Sequence, residues 1–186
     1  MDTSEIKNEK VTTEGGIHYG KQDAPIKVVE FLNLRCPHCK TWWDNASPIL
    51  EDHVNNGQVE RIIKLYNKDK ESLRSGNILH DYIEYEDTDR AMEDIHFYIE
   101  HQEEWGSLSE DELGEYAKDK RGASKQDNTL EANKIIEETQ RTNVLFVPTV
   151  VIEDYIVDAN TLKEEIASII EAKMDRDREN RKPNEF

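Results

Sequence analysis

Along the chain the apolar residues change their spacing from segment to segment, and each change marks a new element. Residues 1–16 are polar and close on Gly15-Gly16, which predicts a flexible lead. After the turn signal Asp23-Ala24-Pro25 comes Ile26-Lys27-Val28-Val29-Glu30-Phe31-Leu32, β-branched and aromatic, which predicts a strand. Cys39, Trp43, Ala46, Leu50 and Val54 then recur at helical spacing, with Asn55-Asn56-Gly57 as a stop, so a helix is predicted from about Cys36 to Asn55. Val59 to Tyr66, carrying Ile62, Ile63 and Leu65, reads as a second strand. Strand, helix and strand in this order suit a right-handed parallel crossover, the start of an α/β fold.

From about residue 70 to 142 every pattern is helical. Met92, Ile95 and Ile99 share one helix face, Ser109 and Glu112 have the spacing of a capping box, and Gly122 follows Lys118-Asp119-Lys120-Arg121 as a stop. Leu130, Ile135, Ile136 and Thr139 define another helix, and extended structure returns at Phe146-Val147-Pro148-Thr149-Val150-Val151-Ile152. Tyr155-Ile156-Val157 reads as a further strand. A last helix opens at Thr161 with Glu164 and turns Leu162, Ile166, Ile169 and Ile170 inward. The organisation expected is a lead over 1–16, a sheet-containing domain built from 17–69 and 143–175, a helical insertion over 70–142, and a charged, frayed tail over 176–186.

Composition narrows what such a fold does. At 186 residues the chain builds one good-sized core, too short for two full-sized independent domains. The formal charge of −17 repels polyanions, so nucleic acid and anionic membrane are excluded as expected partners. Met1-Asp2-Thr3-Ser4-Glu5-Ile6-Lys7 has no basic stretch leading into an apolar one, and no apolar run reaches the ~18 residues of a membrane span. As written, the chain predicts a cytoplasmic protein with no membrane insertion, or an extracytoplasmic one if a signal peptide has been removed. Two cysteines cannot brace a scaffold, and a disulfide between Cys36 and Cys39 closes a tiny loop that stabilises little. The pair reads as chemistry.

Cys36-Pro37-His38-Cys39 falls at the strand-to-helix junction, so both sulfurs lie within one turn. Unpaired N–H groups and the positive end of the helix dipole favour a thiolate on Cys36, the exposed nucleophile. Pro37 suits the first turn, where its missing N–H costs nothing, and His38 supplies a further N–H or a positive charge. Cys39 sits deeper and resolves mixed disulfides. Two blander readings compete. A structural zinc needs about four ligands, and His18, His53, His80, His96 and His101 lack the spacing, so no metal is expected. Two casually buried cysteines would rarely fall at such a junction.

Asp23 to Phe31, followed by the CPHC tetrad and Lys40, resembles the active-site segment of the bacterial DsbA-like family. The resemblance implies a thioredoxin fold with an inserted helical subdomain, placing 17–69 and 143–175 in the thioredoxin-like domain. It further implies a thiol-disulfide oxidoreductase exchanging its disulfide with protein or small-molecule thiols, with no cofactor beyond that disulfide. Val147-Pro148-Thr149 resembles the family's cis-proline loop, which makes Val147 and Pro148 the implied substrate contacts. Glu30 falls where the family carries an acidic residue beneath the disulfide, and Lys64 in the next strand is a plausible neighbour for a proton relay to Cys39. The alternative is that Glu30 faces solvent on alternate-residue spacing. Trp42 and Trp43 are expected to pack the helix. Asn143-Val144-Leu145-Phe146 departs from the glycine-containing approach to the proline common in relatives.

A thiolate-stabilising site favours the reduced form and is therefore oxidising; in a reducing cytosol it would sit mostly as the dithiol and serve as a reductase, isomerase or sensor, whereas outside the cell it would donate its disulfide. A redox-responsive adaptor on the same fold is the rival from another class, and a glutathione-dependent kappa-like enzyme ranks last, since that chemistry does not need Cys39.

Overall fold

The computed structural model describes residues 3–180. A five-stranded sheet forms from β1 (Ile17–Gly20), β2 (Ile26–Leu32), β3 (Val59–Leu65), β4 (Thr149–Ile152) and β5 (Tyr155–Val157), in the order β1-β3-β2-β4-β5. β2 and β3 pair in parallel across the predicted crossover helix α1 (Pro37–Asn55); every other pairing is antiparallel. The α/β thioredoxin architecture expected from the sequence is present. β1 had no advance signal, because it is four residues long and only Ile17 is buried.

The central strands are buried on both faces, and alternation sorts their side chains. Val28 and Leu32 of β2 and Ile63 and Leu65 of β3 join Cys39, Trp42, Trp43, Ala46, Leu50 and Val54 of α1 in the main core. Helices α2 (Arg74–His80), α3 (Thr88–Glu100), α4 (Gln102–Trp105) and α5 (Glu110–Arg121) extend that core with Leu79, Ile95, Ile99, Trp105 and Leu113. The capping box of α5 forms, and Gly122 ends it in the left-handed conformation, φ 62°. α7 (Lys163–Asn180) adds Ile166 and Ile170.

A smaller core lies on the opposite sheet face, where Val29, Phe31 and Ile62 meet Ile135 of α6 (Thr129–Thr142), Val144 and Ile6. Two expectations change here. The helices over 70–142 do not stay together, since α6 covers the face of the sheet opposite α1. The lead is not flexible throughout, because Ile6 is buried there, Lys7 N–H donates to Thr142 O at 2.8 Å, and Thr12 N–H donates to Glu138 at 2.7 Å. Apolar residues as sparse as Ile6 and Val11 show no period, yet they complete a surface that α6 leaves open. At the other end, α7 runs through 176–180, Leu162 is 67% exposed, and residues 181–186 of the expected tail lie outside the described residues.

Candidate active site

The β2–α1 connection carries Cys36, and buried polar side chains from distant elements hold it. Asn33 Oδ1 accepts from Arg35 N–H at 2.9 Å while its amide donates to Tyr66 O at 3.1 Å and Asn77 at 2.8 Å. Gln102 Nε2 donates to Leu34 O at 2.6 Å and Cys36 O at 3.1 Å. His80 Nε2 accepts from Leu34 N–H at 3.2 Å, and its Nδ1 lies 2.6 Å from Asn67 Oδ1, so the neutral ring donates there. Burial holds the His80 pKa down to about 3, which keeps that tautomer in place near neutrality. Gly76 of α2 is required by close approach, because a Cβ there would lie 2.2 Å from Asn33 Oδ1. Asn33, His80 and Gln102 carry no periodic signal, since they are tied to Tyr66, Asn77 and Leu34 across 33 to 68 residues of chain.

Cys36 is the N-cap of α1 and Pro37 its first residue, as predicted. Both cysteines are buried, Cys36 with 5% of its surface exposed and Cys39 with none, so the expectation of an exposed Cys36 is corrected: it meets the cleft only at the wall, yet the two sulfurs sit in contrasting environments. A hydrogen bond from the Cys39 thiol is the largest influence on Cys36; with the Cys39 and His38 backbone N–H groups and a small contribution from the His38 charge, it outweighs burial and lowers the Cys36 pKa from 9.0 to about 6. Cys39 is fully buried, and burial above all, then the hydrogen bond and charge of Cys36, pushes its thiol well above 9.0. Asn33 N–H points at Cys39 Sγ from 3.4 Å. One cysteine is thereby prepared as nucleophile and leaving group, the other as a held thiol. His38 is exposed and acts on Cys36 mainly through its backbone.

Glu30 is fully buried beneath the pair, not in solvent. Its carboxylate accepts from Arg61 Nε at 2.7 Å, Arg61 Nη2 at 3.0 Å and Trp42 Nε1 at 2.8 Å. The bidentate pair and the indole N–H compensate the charge, and the Arg61 guanidinium also lies 4.7 Å from the Trp43 ring centroid. Lys64 is not Glu30's partner. In the β2–β3 register Glu30 lies beside Ile63, so Arg61, two residues from Ile63, shares its face, while Lys64 lies on the other. Lys64 instead pairs with Glu138 of α6 and donates to Thr12 O at 2.8 Å. The Glu30–Lys64 relay is corrected accordingly, and alternation along β3 was the signal that would have chosen Arg61.

Opposite Cys36 stands the segment before β4. The Val147-Pro148 peptide bond is cis, and Val147 O lies 3.4 Å from Cys36 Sγ, accepting from the thiol when it is protonated. A cleft of about 540 Å³ opens between these walls; Val147 and Phe146 line it with Cys36, Pro37 and His38, while Pro148 is buried behind. Among the described residues no group of three or more His, Cys, Asp or Glu side chains is arranged to hold a metal ion.

Comparison with known proteins agrees with this geometry. Residues 12–172 match the profile of a thioredoxin family. A protein of Enterococcus faecalis V583, described as conserved and of unknown function, is 40% identical, with a TM-score of 0.89 over 92% of this chain and 98% of that one. Disulfide bond formation protein D of Bacillus subtilis is 26% identical over 83% of this chain and 75% of its own. The probable disulfide bond formation protein D of Bacillus cereus is 48% identical over 42 residues, a match spanning 22% of this chain and only 19% of that relative's length. Because the thioredoxin profile covers residues 12–172, the chain belongs to the thioredoxin family, and its CxxC pair at the start of α1 is DsbA-like.

Proposed function

We propose that the protein is a thiol-disulfide oxidoreductase that passes its Cys36–Cys39 disulfide to protein thiols. The observation carrying this reading is the division of labour between the sulfurs, with Cys36 lowered to about 6 at a cleft wall and Cys39 raised and buried behind it. A substrate thiolate attacks Cys36 Sγ, and Cys39 leaves and takes up a proton. A second substrate thiolate then attacks the substrate sulfur of the mixed disulfide and expels Cys36 as a thiolate, which its environment stabilises. The substrate loses two electrons and two protons, and the pair gains two electrons. Val147 offers its backbone carbonyl beside the reacting sulfur, where an extended substrate backbone can add. Pro148 supports that wall from behind.

The stabilised thiolate makes the site a disulfide donor, suited to a compartment where disulfides persist. The family name shared by the Bacillus relatives points the same way, and among the described residues no helix is long and apolar enough to cross a membrane. Trapping tests the reading. A Cys39→Ser variant should accumulate reductant-sensitive covalent complexes through Cys36, and Cys36→Ser should trap far less. Equal trapping by both would overturn the assigned roles; binding of a partner without any covalent complex would replace the enzyme by an adaptor.

A further inference from the structure

Acidic residues outnumber basic ones 41 to 24, so an average patch of this surface is negative. The redox cleft is the opposite. Arg35, Lys68 and Lys70 line it with His38, and no aspartate or glutamate does. Several other cations of the fold are neutralised at close range: Lys27 by Glu60, Lys40 by Asp44 and Glu100, Arg61 by Glu30, Lys64 by Glu138, and Arg90 and Arg121 by Asp94. Among the described residues, Arg35, Lys68 and Lys70 take part in no ion pair. Asp69 and Glu71, which alternate with the lysines in sequence, are exposed and stay outside the cleft lining.

Two of the three cations are also held in place, while Lys70 is exposed. Lys68 Nζ donates to Leu145 O, tying the segment after β3 to the one before Val147, and its Nζ lies 5.9 Å from the Tyr66 ring centroid. Arg35 lays its guanidinium against Gly106, where a Cβ would meet Nε at 2.4 Å and force the side chain aside. Leu73, Phe146 and Val147 give the same cleft an apolar wall. A groove of about 540 Å³ with an apolar wall and unpaired cations around a reactive sulfur accommodates more than a cysteine side chain.

We propose that this cleft selects protein thiols whose cysteine is flanked by carboxylates, Arg35, Lys68 and Lys70 receiving the aspartate or glutamate side chains while the neighbouring cysteine meets Cys36. The proposal rests on the disulfide-exchange reading and names its substrate class. The chemical step is unchanged: the flanked thiolate forms the mixed disulfide with Cys36, Cys39 leaves and is protonated, and the second substrate thiolate completes its own disulfide. The preference opposes the protein's net charge, which repels an acidic segment at long range. Local cations and global charge therefore predict opposite rankings.

The test uses three two-cysteine peptides of equal length whose cysteines are flanked by Glu, Gln or Lys. Each is oxidised by the full chain in its disulfide form, and each rate is divided by that peptide's rate with an uncharged small disulfide, which removes differences in intrinsic thiol reactivity. At about 20 mM salt the Glu peptide should be favoured over the Lys peptide by about fivefold or more, shrinking to within about twofold at 0.5 M. The ratio should collapse in Lys68→Gln/Lys70→Gln and equally in Lys70→Glu, a change at an exposed position, since each removes two units of positive charge from the cleft. Equal ratios for all peptides, or faster reaction of the Lys peptide, would overturn the charge preference and leave the exchange reading standing. Failure to oxidise any of them would overturn both.

Discussion

Replacing Cys39 with alanine removes the largest influence on Cys36 and should return its pKa from about 6 toward the ordinary 9.0. At pH 7 a pKa of about 6 leaves roughly nine-tenths of Cys36 as thiolate, against about one part in a hundred at 9. That difference stabilises the reduced form at pH 7 by about 1.4 kcal/mol, or about 30 mV, and by about 4 kcal/mol once the pH exceeds 9. The folded pKa is depressed, so this stabilisation is complete above the unfolded value and is lost as pH falls through about 6. The melting temperature of the reduced wild type should accordingly gain on that of the oxidised protein between pH 6 and 9. Thiolate ultraviolet absorbance and the pH dependence of alkylation read the pKa directly in Cys39→Ala. A value that stays near 6 would refute the role of the Cys39 thiol and move the cause to the helix N-terminus.

Other changes separate the structural groups from the reacting ones. Arg61→Leu strands Glu30 in the core and should cost about 3–5 kcal/mol in urea unfolding while shifting the Cys39 titration. Lys64→Met, on the opposite sheet face, should lower stability through Glu138 yet leave both cysteine titrations where they are; a shift there would revive the relay. His80, held to about 3 by burial, refuses a proton that the unfolded chain accepts below about 6.5, so stability is full above that pH and is lost as pH falls toward 3. The loss from this residue is about 2 kcal/mol by pH 5, and His80→Gln should flatten the acid limb of thermal melts by that amount; an unchanged slope would show that His80 titrates normally.

What the sequence made legible was local. A strand, two cysteines and a helix start lie within one short segment, so the nucleophile, the buried resolving thiol and Pro37 at the first turn followed from spacing and helix-end electrostatics. Glu30 was visible as a carboxylate in an apolar strand, but its partner depended on the β2–β3 register, and a one-residue difference in parity sent Lys64 to Glu138 and Arg61 to Glu30. His80 and Gln102 reach the Cys36 loop from the helical insertion, at separations of 46 and 68 residues from Leu34. No periodicity encodes such contacts. The positive cleft was hidden for a related reason, since Lys68 and Lys70 alternate with acids in sequence and only the fold turns the lysines toward Cys36.

The central claim is that the Cys36–Cys39 disulfide moves to a protein dithiol. The most direct measurement mixes oxidised protein with a reduced, unfolded protein carrying two cysteines, quenches with an alkylating reagent and weighs both partners. The account predicts that Cys36 and Cys39 become alkylated as the substrate loses its two reactive thiols, one pair for one pair. An intact Cys36–Cys39 disulfide beside a fully alkylated substrate would contradict it.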